Sequence, residues 1–245
     1  MRVTRVYVAL PLVAGSEIEL PEPAANHLSR VLRMGVGDSC IVFNGDGHDY
    51  PTRLVDVGKR VVRAQVGPGI AINNESPLQL ILLQGVARGE KMDLILQKAT
   101  ELGVVSFQPL YSQRSEVRLE GARADKRLAH WRGVVVSACE QCGRALVPGV
   151  AMPQSLVQAL AALPAGGLRL ILDPDARVSL SRLDVDSAAP ICLAVGPEGG
   201  WSPQDIEHLQ SAGFSGVRLG PRVLRTETAG LAAISALQVL HGDLG

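Results

Sequence analysis

Residues 191–205 read Ile191-Cys192-Leu193-Ala194-Val195-Gly196-Pro197-Glu198-Gly199-Gly200-Trp201-Ser202-Pro203-Gln204-Asp205. Five consecutive apolar residues are too few for a buried helix, and glycine and proline end the run at once. It reads as a strand covered on both faces, as strands inside a parallel sheet are. Next comes a helix start: Ser202 as N-cap, Pro203 in the first turn and an acidic Asp205 three residues on. The Gly/Pro loop between them leaves the carboxyl end of its strand, which is where open α/β sheets bind ligands.

The same texture extends outward. Residues 78–86 form an apolar strand, and 91–102 a helix with Met92, Ile95, Leu96 and Ala99 at helical spacing, stopped by Gly103. Strands are expected at 104–110, 168–172 and 217–219, and helices at 124–142, 153–163, 203–212 and 227–241. Strand–helix alternation of this length implies an α/β fold with a mainly parallel sheet clad by helices on both faces. The first third differs. Short β-branched runs at 2–8, 39–43, 50–57 and 60–66 are separated by Asn44-Gly45-Asp46-Gly47 and Gly58-Lys59. One helix is expected at 22–33, and a small barrel of five or six strands is the natural closure. Residues 67–77, rich in Gly, Pro and Asn, are the expected linker, placing a β-barrel domain at 1–73 and the α/β domain at 74–245.

Composition narrows the partners. The formal net charge is zero and aromatics are 3% of 245 residues, which argues against a general polyanion binder and against stacking platforms for single strands. No apolar run approaches a membrane span. Basic residues before the apolar stretch 6–14 imitate a secretory signal, but Pro11 interrupts it and Glu17 and Glu19 follow, so the alternation over 2–8 reads as a strand. Cys40, Cys139, Cys142 and Cys192 make no disulfide framework, and the single C-x-x-C at 139–142 reads as two thiols one helical turn apart rather than a metal or redox site. Reduced cysteines fit a cytoplasmic location. His27, Arg30 and Arg33 on the first helix, with Arg2 and Arg5, form either a basic RNA-facing surface or a solvated charged face.

Three loops stand out: Leu172-Asp173-Pro174, Gly196-Pro197-Glu198-Gly199-Gly200, and Gly220-Pro221-Arg222-Val223-Leu224-Arg225-Thr226-Glu227-Thr228. Gly/Pro backbone offers N–H and C=O groups to a flat heterocycle, and the arginines suit an anion formed during reaction. The phosphate loop G-x-x-x-x-G-K-[ST], G-x-G-x-x-G after a strand, G-x-S-x-G and metal-ligand histidine spacing are all absent from the sequence.

At these loops the chain resembles the bacterial 16S ribosomal RNA (uracil-N3)-methyltransferase family, of the SPOUT class. The matching stretches span the chain. They are Met1-Arg2 with Arg5 and Tyr7; Asn26-His27-Leu28 with Arg30 to Met34; and Arg88-Gly89-Glu90-Lys91-Met92. Gln97-Lys98 with Glu101-Leu102-Gly103, Arg114-Ser115 and Glu140 to Arg144 follow. The last are Gly196 to Gly200 and Leu219 to Ala229, the most specific pair. The resemblance implies a PUA-like barrel, a catalytic domain whose C-terminal chain forms a trefoil knot, a homodimer, and S-adenosylmethionine as cofactor. It implies a cofactor site of Leu172, Gly196, Pro197, Glu198, Gly199, Leu219, Gly220, Leu224, Arg225 and Thr226. RNA contacts are expected from Arg2, Arg5, His27, Arg30, Arg33, Arg88, Lys91 and Arg114. Catalysis is expected from Arg225 or Arg222 as anion stabiliser and Glu198 as weaker proton acceptor, on 16S rRNA within the assembled small subunit, without metal or membrane. The alternatives are a SPOUT enzyme acting on another RNA or on a ribose 2′-hydroxyl, and a non-catalytic ribosome-assembly protein.

Overall fold

The computed structural model describes residues 3–58 and 61–245. Arg2, among the residues expected to touch RNA, and residues 59 and 60 at the expected Gly58-Lys59 turn and strand start lie outside the described residues. Two compact units divide the chain: Met1–Glu75 with Cys139–Val147, and Ser76–Ala138 with Pro148–Gly245.

The first unit holds β1 (Arg5–Tyr7), β2 (Glu17–Glu19), α1 (Glu22–Asn26), β3 (Ser39–Phe43), β4 (His48–Val57), β5 (Val62–Val66) and β6 (Ile70–Ala71). Its sheet runs β1-β3-β4-β5-β2, with β6 on β4. All its pairings are antiparallel except β1 on β3. Period-two burial is clear in β5, where Val62, Ala64 and Val66 point inward and Arg63 and Gln65 outward. Val62 and Ala64 join Val6, Val8, Val42, Leu54 and Leu28 in one core. The helix expected at 22–33 is shorter. After α1 the chain widens into a π turn, His27–Val31, and stops at Arg33, the one non-glycine residue with positive φ (55°) among those described. Met34 N–H then donates to Leu28 O at 2.9 Å, closing the end.

The sequence assigned all of 74–245 to one domain, yet Cys139–Val147 groups with the first unit. Buried polar bonds within that unit explain it. Arg5 sits in an ion pair with Asp49 (2.6 Å) and donates to Cys139 O (2.7 Å) and Arg144 O (3.2 Å). Tyr7 N–H donates to Glu140 Oε1 at 3.0 Å, and Arg144 pairs with Glu75 through several bonds.

The second unit holds β7 (Leu80–Gly85), α2 (Glu90–Glu101), β8 (Ser106–Tyr111), α3 (Gly121–Cys142, its last turn in the first unit), β9 (Gly149–Val150) and β10 (Gln154–Ser155). It continues with α4 (Leu156–Ala161), β11 (Leu168–Leu172), β12 (Ile191–Val195), α5 (Pro203–Ser211), β13 (Ser215–Val217) and α6 (Thr226–His241). The sheet order is β10-β8-β7-β12-β11-β13, with β9 on β8, and every pairing is parallel. All five residues of β12 are buried, as the apolar run required. β7 pairs with β8 on one side and with the much later β12 on the other, so the sheet reverses its winding there, and ligand crevices open at such points.

Several boundaries moved by two or three residues, and two of the shifts have a clear cause. The helix expected at 153–163 begins only at Leu156, because Ser155 caps it in a box with Gln158, and the preceding residues pair with β8. The strand expected at 217–219 lies two residues earlier, leaving Arg218 bridged to Ser179 and Leu219 free for the loop. The Ser202–Asp205 box forms as the sequence indicates, and Asp205 also accepts Gln113 N–H at 3.3 Å. Replacing Ser202 by Ala is expected to cost about 1 kcal/mol, read as a lower urea midpoint with unchanged slope.

Candidate functional site

Because the strands are parallel, the loops after β11, β12 and β13 emerge on one edge of the sheet. A cavity of about 700 Å³ opens between them. Its wall includes Leu172, Gly196, Pro197, Glu198, Leu219, Gly220, Arg222, Leu224, Arg225 and Thr226, so the sequence-expected cofactor and catalytic residues come together with one exception. Gly199 is not in the wall. A Cβ there would lie 2.9 Å from Arg114 O, and Arg114 Nη1 donates to Gly199 O at 3.3 Å, so this glycine packs the loop from behind.

Three polar bonds fix the loops to one another. Thr226 Oγ1 donates to Gly196 O at 2.6 Å and accepts from Gln84 Nε2 at 3.0 Å; the same Gln84 nitrogen donates to Gly85 O at 3.0 Å. Gln84, fully buried at the end of β7, thus ties that strand to the loop after β12 and to the start of α6. Gly85 has no room for a side chain: a Cβ would stand 2.5 Å from Pro197 N and 2.6 Å from Pro197 Cδ. We expect Gly85→Ala to displace the 196–200 loop, with an overpacking cost of about 1–3 kcal/mol. Calorimetric titration should then show S-adenosylmethionine-sized ligands of this cavity binding more weakly, by about tenfold for each ~1.4 kcal/mol needed to return the loop to its place.

Charge in the cavity is divided. Arg222 and Arg225 are exposed and form no ion pair among the described residues. Glu198 Oε1 accepts from Arg88 N–H (3.1 Å) and Lys91 Nζ (3.3 Å). Partial burial raises the Glu198 pKa, but backbone N–H groups of Glu198 and Arg88 and the Lys91 ammonium outweigh it, and the carboxyl ends below its ordinary value. That makes Glu198 a poorer proton acceptor than the sequence suggested. Lys91 lines the cavity rather than facing away from it, bridging Glu198 and Glu227 (3.7 Å).

Other expected RNA contacts divide. His27, Arg30 and Arg33 are exposed on the first unit. Arg88 and Arg114 are exposed on the second, with Arg88 paired to Glu116. Arg5 is corrected: its side chain is only 8% exposed, its guanidinium is held by Asp49 and two carbonyls, and it stacks 4.4 Å over Phe43, so it serves the core. Asp173, Trp201, Ile206, Val223 and Glu227 also line the cavity without having been assigned from sequence. Gln84 had a legible signal, an amide ending an apolar strand; Glu227 lay inside the quoted motif. Among the described residues no helix is long and apolar enough to cross a membrane, and no three His, Cys, Asp or Glu side chains gather as metal ligands.

Comparison with known proteins agrees with this layout. Residues 74–238 match a model of the RNA methyltransferase domain, and 20–67 one of the RNA methyltransferase PUA domain. The chain is 31% identical to ribosomal RNA small subunit methyltransferase E of Buchnera aphidicola (subsp. Schizaphis graminum), covering 99% of this chain and 98% of the relative. It is 32% identical to the Bacillus subtilis protein of that name, covering 89% and 90%. A crystal structure of the Neisseria gonorrhoeae ribosomal RNA small subunit methyltransferase E bound to S-adenosyl methionine superimposes with a TM-score of 0.94 at 40% identity, over 100% of both chains.

Proposed function

The chain belongs to the ribosomal RNA small subunit methyltransferase E family, and we propose on that premise that it methylates N3 of one uridine in 16S rRNA, with S-adenosylmethionine as donor. The observation that carries the reading is the cavity at the carboxyl ends of β11, β12 and β13, walled by the family's loops and holding two uncommitted arginines.

The residues present fit that cofactor. A cavity of about 700 Å³ suits a molecule of its size. The close approach of Gly85 to Pro197 leaves backbone to face a flat ring, and mixed carboxylate and cationic groups match a zwitterion. When bound, S-adenosylmethionine supplies an electrophilic methyl group on a sulfonium. The protein's own task is alignment and charge. Leu172, Gly196, Pro197, Leu219, Gly220 and Leu224 hold and orient the donor, with Thr226 and Gln84 keeping their loops in register. Arg222 and Arg225 stabilise the uracil as its N3 proton leaves. N3 lies on the Watson–Crick edge, so the base leaves its stack to reach the cavity.

The reading includes the SPOUT trefoil knot in the second unit and a PUA-like RNA-binding barrel in the first. The knot draws support from the loop before α6 lying beside the two earlier loops, the barrel from a six-stranded sheet ending in β1 and β2. A homodimer is supported by α6, whose Val239 and Leu240 leave apolar surface in water. Zero net charge favours the assembled small subunit in the cytoplasm over naked RNA, since shape then supplies what charge does not. The test is nucleoside mass spectrometry on small subunits, and separately on naked rRNA, from cells lacking this gene, after incubation with the protein and S-adenosylmethionine. New 3-methyluridine on subunits is expected. A 2′-O-methylated nucleoside would move the target atom, and no methylation by a folded protein would sink the reading.

A further inference from the structure

If N3 is the acceptor, its proton has to go somewhere, and the cavity offers three carboxylates. Glu198 is committed: one oxygen takes both Arg88 N–H and Lys91. Asp173 is partly committed, its Oδ1 accepting Asp175 N–H at 2.9 Å in the turn after β11. Glu227 is different. It lines the cavity with a side chain only 15% exposed, and neither of its oxygens accepts a hydrogen bond among the described residues. Its ion-pair partner among the described residues is the Lys91 ammonium, 3.7 Å from Oε2 and shared with Glu198. A largely buried carboxylate without donors is costly to keep, and where proteins keep one, chemistry is a common reason.

We infer that Glu227, and not Glu198, takes the N3 proton of the target uridine, an assignment that rests on the reading proposed above. Glu227 stands in the first turn of α6, two residues after Arg225, so the base and the anion-stabilising arginine come from one short stretch of chain. Its place in the first turn sets its backbone at the positive end of that helix. In the step, the N3–H bond breaks with its proton moving to a Glu227 oxygen. The N3 electron pair bonds to the methyl carbon. The carbon–sulfur bond breaks with its pair going to sulfur, and S-adenosylhomocysteine is the product. Glu227 then returns its proton to water. Lys91 is the positioning residue, holding Glu198 and Glu227 on either side of one ammonium.

The test compares wild type with Glu227→Gln, Glu227→Asp and Glu198→Gln on small subunits. It reads kcat against pH, and separately the S-adenosylmethionine Kd by calorimetry. Charged groups around Glu227 that could colour the profile are Lys91, Glu90 and Asp93 of α2, Asp173, Glu198, Arg222 and Arg225. Glu227→Gln is expected to lower kcat at neutral pH by at least about 100-fold, the usual worth of a proton acceptor, with an unchanged Kd. Its loss should shrink as pH rises toward the range where uridine ionises unaided, Glu227→Asp should recover part of the rate, and Glu198→Gln should lose less. A Glu227→Gln enzyme close to wild type, a loss of equal size at every pH, or a loss traced to cofactor Kd would each overturn the assignment. If the wild type methylates another atom, the functional reading itself fails, and that is seen before any variant is measured.

Discussion

Arg225→Ala should lower the methylation rate about 100- to 1000-fold, the typical cost of removing one preorganised group that stabilises charge developing in the transition state. Arg225 lies at the N-cap position of α6 but contributes no side-chain cap there, so the helix does not depend on its guanidinium. The side chain is exposed in the cavity wall and forms no ion pair among the described residues, so its removal leaves nothing buried and unpartnered. Thermal unfolding is therefore expected to shift little while single-turnover kcat collapses. Arg222 is equally uncommitted, and Arg222→Ala measured in parallel ranks the two. Near-normal turnover by Arg225→Ala would remove it from the chemistry. A large drop in melting temperature would reassign it to the fold.

Asp49→Ala is the opposite kind of change, with its effect on stability. Asp49 and Arg5 have side chains 10% and 8% exposed, joined at 2.6 and 3.1 Å in the first unit. Truncating one partner of a buried ion pair strands the other charge, which costs about 3–5 kcal/mol. Arg5 keeps its bonds to Cys139 O and Arg144 O and its contact with Phe43, which places the expected cost toward the lower end. Urea unfolding followed by far-UV dichroism measures it. A cost below about 1 kcal/mol, the range of exposed pairs, would show that the pair is solvated and that Arg5 is free to face RNA after all.

Arg5 also shows where sequence reading stopped. Its alternation within a strand was legible, but a basic residue at a chain start looks the same whether it faces RNA or a buried aspartate 44 positions away. Only the pairing of β1 with β3 settles which, by setting Arg5 opposite Ile41 in the sheet that also carries Asp49 on β4. Glu227 shows the same limit from the other side. It lay inside a recognised motif, yet its lack of hydrogen-bond donors depends on where Lys91 and Glu198 stand, more than a hundred and twenty and nearly thirty residues earlier in the chain. The boundaries missed at 153–163 and 217–219 failed for a related reason, since pairing with β8 and β11 overrode local propensity.

What the sequence alone determined is whatever local chemistry forces. The buried strand at Ile191–Val195, the Ser202 cap, the parallel α/β class and the three Gly/Pro loops follow from side-chain period, missing N–H groups and glycine's freedom, and none of these needs a distant partner. Tertiary structure decided which charges are spent and which remain free. Arg5, Glu198 and Lys91 are engaged, while among the described residues the side chains of Arg222 and Arg225 form no ion pair and Glu227 has the shared Lys91 ammonium without a hydrogen bond. An ionic group's role depends on its solvation and its neighbours, and in a fold these are assembled from residues far apart in the chain.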